Sequence, residues 1–202
     1  MNSLIVHFLQ IIFICAIWYY AFTSDDFEII PPDGLDILAV RFIASMLMHL
    51  NVEKDVRNGL TMMKYTVNHF DNFRNYHVAF MVSFLLTFCS IAVELTVILV
   101  LTSLHNVLTV IMKYVSLAAT ANIPRFYYNS LWEHKLLKTA GLDVEITTYR
   151  RDKPMSYAPK SVKFMRFIQK FMRTIFASWS FYFMPYTSLF INYVVMHYIK
   201  AK

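Results

Sequence analysis

A chain of 202 residues that is 57% apolar, with a mean hydropathy of +0.45, lies outside the range of soluble domains and belongs with membrane-embedded proteins. Three glycines, Gly34, Gly59 and Gly141, are too few for a loop that cradles nucleotide phosphates, and two cysteines inside apolar runs, Cys15 and Cys89, exclude a disulfide framework. The net charge of +6 is a local property: 11 of the 19 Lys and Arg fall between Arg125 and Arg173, which marks one loop and not a nucleic-acid surface.

Leu4 to Phe22 is apolar except for His7 and Gln10 and has the length of a hydrocarbon core, so residues 1–24 are read as a first span. No cationic segment precedes it, which predicts a retained helix and not a cleaved leader. Residues 25–77 follow as an acidic linker, with Pro31 and Pro32, and two further helical stretches. Leu35 to Leu50, interrupted by Asp36 and Arg41, is expected to lie in the interface or to pack on a neighbouring helix because 16 residues rise only about 24 Å. Glu53 to Tyr76 is more polar, with Val56, Leu60, Met63 and Val67 marking one buried face.

Residues 78–124 are expected to form a transmembrane hairpin, Val78 to Leu101 followed by Leu104 to Ile123, stopped by Pro124. Residues 125–173 form a basic loop containing an amphipathic helix. Residues 174–202 hold a last span, which Pro185 should kink, and a short tail. The fold class is therefore all-α: a polytopic membrane protein of about four transmembrane helices with interfacial amphipathic helices. The cation bias turns the 124–173 loop toward the cytoplasm or the mitochondrial matrix. Aromatic clusters at Trp18 to Tyr20, Phe126 to Tyr128 and Trp179 to Tyr186 suit the headgroup level.

Glu94 and Lys113 are the sharpest candidates for chemistry. In a hairpin folded between Ser103 and Leu104 each lies nine residues from the fold, hence at one depth, and an ionised group in lipid needs a partner. Such an intramembrane ion pair either registers the hairpin or relays protons or ions, and the structural role is favoured because no further carboxylates flank it. His7 and His197 could ligate a haem if their helices touch, but two interfacial histidines with polar tips in the headgroup layer are the favoured reading, and no cofactor is expected. His69, Asp71 and His77 lack metal-ligand spacing and read as solvated positions, so no metal site is expected. No catalytic residue is assigned, because no nucleophile elbow or carboxylate pair is present.

Lys160, Lys163, Arg166, Lys170 and Arg173 gather on one side of a helix, with Phe164, Ile168, Phe171 and Met172 on the other. This basic amphipathic helix suits the membrane surface, either as a topology anchor or as a contact for anionic lipid such as cardiolipin.

The segments RFIASMLMHL (Arg41 to Leu50), GLTMMKYTVNHFDNFRN (Gly59 to Asn75), VELTVILVLTSLHNVLTVIMKYVSLAATANI (Val93 to Ile123) and WSFYFMPY (Trp179 to Tyr186) resemble an uncharacterised group of polytopic membrane proteins of ciliates. In that group the third span tends to end in an acidic pair, where this chain has Pro124 and Arg125. The resemblance implies membrane topology and a protist source and carries no activity.

With no chemistry visible, the expected function is that of a non-catalytic accessory subunit of a large membrane complex. A mitochondrial respiratory or ATP synthase complex in the inner membrane is the favoured home. Expected partners are other subunits and anionic lipid, with neither nucleic acid nor a small-molecule substrate. The rival expectation is a channel or transporter component using Glu94 and Lys113.

Overall fold

The computed structural model describes residues 2–23, 32, 34–133 and 157–200, and among these the regular structure is entirely helical. The helices are α1 (Asn2–Thr23), α2 (Leu35–Asn68), α3 (Tyr76–Thr102), α4 (Val107–Ala121), α5 (Ile123–Glu133), α6 (Lys160–Ile175) and α7 (Phe181–Lys200). A 3-10 turn, Phe70–Asn72, lies between α2 and α3, and a π turn, Phe176–Ser180, joins α6 to α7. Most of the acidic linker before Gly34, and residues 134–156 of the basic loop, lie outside the described residues.

The interfacial helix and the polar helix expected between Leu35 and Tyr76 are one element. α2 runs unbroken for 34 residues, about 51 Å at 1.5 Å per residue. The reason lies in its buried stripe: Ala44, Met48, Val52, Val56, Leu60, Met63 and Val67 follow one another at steps of three or four straight through the polar stretch. Glu53 and Arg57 pair with each other on the surface at i, i+4 and leave that stripe intact. α2 packs against α3, α4, α6 and α7 and is the axis of the bundle, while α1 lies on α3 and α5.

Three helices are long and apolar enough to cross a membrane: residues Leu4–Thr23 of α1, α2 and α3. A fourth arises if α4 and the first part of α5 act as one span bent by 49°. Pro124 accounts for the bend, since it has no N–H for the carbonyl of Thr120 and its ring crowds that carbonyl. The Thr120 oxygen instead accepts a hydrogen bond from Gln10 Nε2 at 3.2 Å, which ties α1 to the break. α7, expected as the last span, has 20 residues and is not among the helices apolar enough to cross a membrane. α7 runs as one helix through Pro185, where a kink is expected, and the π turn ends five residues before that proline.

The α2–α3 contact depends on small residues. Gly59 lies so close to α3 that a Cβ there would overlap the Thr87 hydroxyl and come within 2.9 Å of the Ser83 carbonyl oxygen. Gly59→Leu should therefore cost about 1–3 kcal/mol by overpacking, read as a lowered thermal midpoint of the detergent-solubilised protein. A midpoint equal to the parent's would show that the two helices do not meet at this position.

Candidate functional site: a buried polar seam

α2 carries Arg41, Ser45 and His49 four residues apart, and therefore in one line along its surface. All three are buried; Arg41 is 0% exposed. A guanidinium has five N–H donors and no acceptor, so it stays inside an apolar bundle only where oxygen atoms surround it. Its Nη2 and Nε donate to the Leu104 carbonyl oxygen at 2.6 and 3.2 Å, and its Nη1 donates to Asn192 Oδ1 at 2.6 Å. Leu104 follows the last turn of α3, where the helix dipole is negative, so the cation meets the electrostatically favoured end. Asn192 is itself held by donating from Nδ2 to the Ser188 carbonyl oxygen at 2.7 Å, one turn back on α7. One arginine thus joins α2 to the end of α3 and to α7.

Two turns further along α2, His49 Nδ1 and a Glu94 carboxyl oxygen share a hydrogen bond of 2.7 Å, with Glu94 only 2% exposed. A single proton shared by the two keeps the pair electrically neutral in either form, imidazolium with carboxylate or imidazole with carboxylic acid. Ser45 Oγ, between the two joints, donates to the Arg41 carbonyl oxygen at 2.9 Å.

This geometry redirects the pairing expected from the sequence. Glu94 is bonded to His49 and not to Lys113, which is exposed on α4 and lines a cleft of about 580 Å³ with Phe13, Tyr20 and Ser116. Equal distance from the fold fixes depth but leaves azimuth open. Glu94 occupies the α3 face turned to α2, whereas Lys113 shares the outward side of α4 with Ile111, Met112 and Val115.

The remaining candidates separate as follows. His7 is buried, with its carbonyl oxygen accepting from the Cys89 thiol at 3.9 Å, and the side chain of His197 lies outside the described residues. His69, expected to be solvated, is buried and stacks on Tyr65 with ring centroids 4.6 Å apart, while Asp71 and His77 are exposed. Among the described residues no three His, Cys, Asp or Glu side chains gather to hold a metal ion. On α6, Lys160, Lys163, Lys170 and Arg173 are exposed and Arg166 is half-buried; Met172, expected on the outer apolar side, is buried in the packing face.

Two further polar joints serve the periphery. Trp18 Nε1 donates to Thr96 Oγ1 at 2.8 Å between α1 and α3, so this belt tryptophan also fastens two helices. Arg125 forms an ion pair with Asp55 at 2.9 Å and donates to the Asn51 carbonyl at 3.2 Å, clamping α5 onto α2.

No protein family, curated protein or solved structure matches this chain. The fold and the seam define a class by themselves: a chain helical throughout its described regular structure, with three or four helices long and apolar enough to cross a membrane, and with Arg41, His49 and Gln10 bonding across helix contacts.

Replacing Glu94 by Leu strands the buried imidazole and should cost about 3–5 kcal/mol. Glu94→Gln, which keeps a hydrogen-bonding oxygen, should cost much less, and Lys113→Ala should leave stability unchanged. Thermal unfolding in detergent orders the three; a loss for Lys113→Ala as large as for Glu94→Leu would restore the hairpin pair.

Proposed function

We propose that the chain is a non-catalytic accessory subunit of a larger membrane assembly. The observation that carries this reading is where Arg41, His49 and Gln10, the buried groups with the largest polar side chains in the seam and at the α4 break, direct their bonds. Arg41 binds Leu104 and Asn192, His49 binds Glu94, and Gln10 binds Thr120, each linking one helix to another. Groups used in this way fix helix positions, and that is the task of a subunit whose product is its shape.

The outer surface supports the same reading. Ile5, Phe8, Leu9, Ile12 and Phe13 of α1 and Tyr182, Phe183, Tyr186, Phe190 and Tyr193 of α7 all point outward. Apolar faces of this breadth fit acyl chains and neighbouring transmembrane helices. The favoured home is the mitochondrial inner membrane, in a respiratory or ATP synthase complex, because the basic helix α6 suits cardiolipin; the chemistry of α6 alone supports that placement.

A second reading, a proton-conducting or transport component, is favoured by one observation, the His49–Glu94 hydrogen bond buried in membrane-length helices. It takes the place of transport through Glu94 and Lys113.

Native extraction in mild detergent, followed by native gel electrophoresis and mass spectrometry of the band, decides between them. An accessory subunit migrates with a defined set of other membrane subunits. Migration alone or as a small homo-oligomer, together with proton flux into proteoliposomes that Glu94→Gln abolishes, would establish the transport reading instead.

A further inference from the structure

α6 divides its circumference into three sectors. Val162, Met165, Gln169 and Met172, spaced three, four and three, are buried and face the body of the bundle, where α6 packs on α2. Phe164, Phe167 and Phe171 form a second sector and are exposed at 64%, 66% and 57%. Lys163, Arg166, Lys170 and Arg173 occupy the third, and the last three turn toward the second half of α2.

There they meet Lys64. Lys64, Arg166, Lys170 and Arg173, with Asn68 and the buried amide of Gln169, line a groove of about 210 Å³. An adjoining groove of about 380 Å³ shares Lys64, Gln169 and Arg173 and reaches Arg57 at its rim, where Arg57 keeps its pair with Glu53. Among the described residues, neither groove has an Asp or Glu in its lining. Four cationic side chains line this small space, and each carries N–H donors from which a phosphate oxygen can accept a hydrogen bond.

We propose that this groove between α2 and α6 binds the phosphate of an anionic phospholipid headgroup. Arg166 and Arg173 supply planar forks that match two phosphate oxygens, and Lys64 and Lys170 supply point charges. The lipid, and not a soluble phosphate, is the source because the exposed phenylalanine sector lies on the same helix as the cations. A helix that presents aromatic rings beside lysines and arginines seats its rings among acyl chains with its charges at headgroup level. This deepens the accessory-subunit reading by naming a lipid partner, and it rests on the membrane setting of that reading alone; native-gel composition and lipid binding are separate measurements, so either can fail without the other.

The test uses the full chain purified in neutral detergent and titrated with dioctanoyl phosphatidylglycerol, dioctanoyl phosphatidylcholine or inorganic phosphate, with bound lipid counted by native mass spectrometry. Phosphatidylglycerol should bind in preference to phosphatidylcholine. The variant Lys170→Gln/Arg173→Gln should weaken its binding roughly thirtyfold, the effect of two cations at about 1 kcal/mol each, with unchanged helical circular dichroism. Lys160→Gln/Lys163→Gln, which removes the same charge outside the groove, should keep the binding. Equal loss in both variants would overturn the groove in favour of diffuse attraction. Inorganic phosphate binding as tightly as the lipid would overturn the headgroup assignment, and equal binding of the two lipids would overturn the site.

Discussion

A guanidinium cannot rest in an apolar bundle unless oxygen atoms are brought to it, and the arrangement of α2, α3 and α7 follows from how Arg41 meets that demand. The Leu104 carbonyl and the Asn192 amide are the acceptors, one just beyond the last turn of α3 and the other on α7. Moving any of the three helices away from the others removes an acceptor from a charge that water cannot reach. The apolar contacts of the core are less demanding, since Val, Met and Leu tolerate sliding against one another, whereas hydrogen bonds of 2.6 Å to fixed oxygens do not. The seam therefore sets register, and the apolar stripe beside it supplies burial.

That division of labour explains why α2 is long. It carries an apolar ridge from Ala44 to Val67 and a polar one of Arg41, Ser45 and His49, and its length lets it pack against α3, α4, α6 and α7. The polar ridge holds α3 and α7 at one end; Gly59 brings α3 close through its small residues further along; the last turns, with Lys64, form one wall of the basic groove against α6. The joints that support the subunit reading and the groove that gives it a lipid partner are thus built on a single helix.

Much of this was legible in the sequence, for physical reasons that also mark where legibility stops. Apolar length announced α1 and α3, and charge spacing announced α6, because both signals are local. The buried face of Val56, Leu60, Met63 and Val67 followed from helical period alone. The continuity of α2 was hidden because polar residues on its solvent side near Glu53 resemble a boundary. Glu94 was recognisable as a residue in need of a partner, but His49 lies 45 residues away on another helix, and helix azimuth is set by tertiary packing that no spacing rule contains. Arg41, Ser45 and His49 did leave a trace, three polar residues at intervals of four in an apolar segment, which a search for polar ridges would have found. Asn192 and Ser188 show the same interval on α7.

The central claim is that Arg41 and Asn192 act as one joint between α2 and α7. A double-mutant cycle of Arg41→Met and Asn192→Leu, followed by reversible unfolding in detergent, measures that joint directly. The account predicts a coupling of about 1 kcal/mol or more, the double variant losing less than the two single losses combined. Losses that add to within about 0.5 kcal/mol would mean that the two side chains do not support each other, and the seam would not be what holds the bundle together.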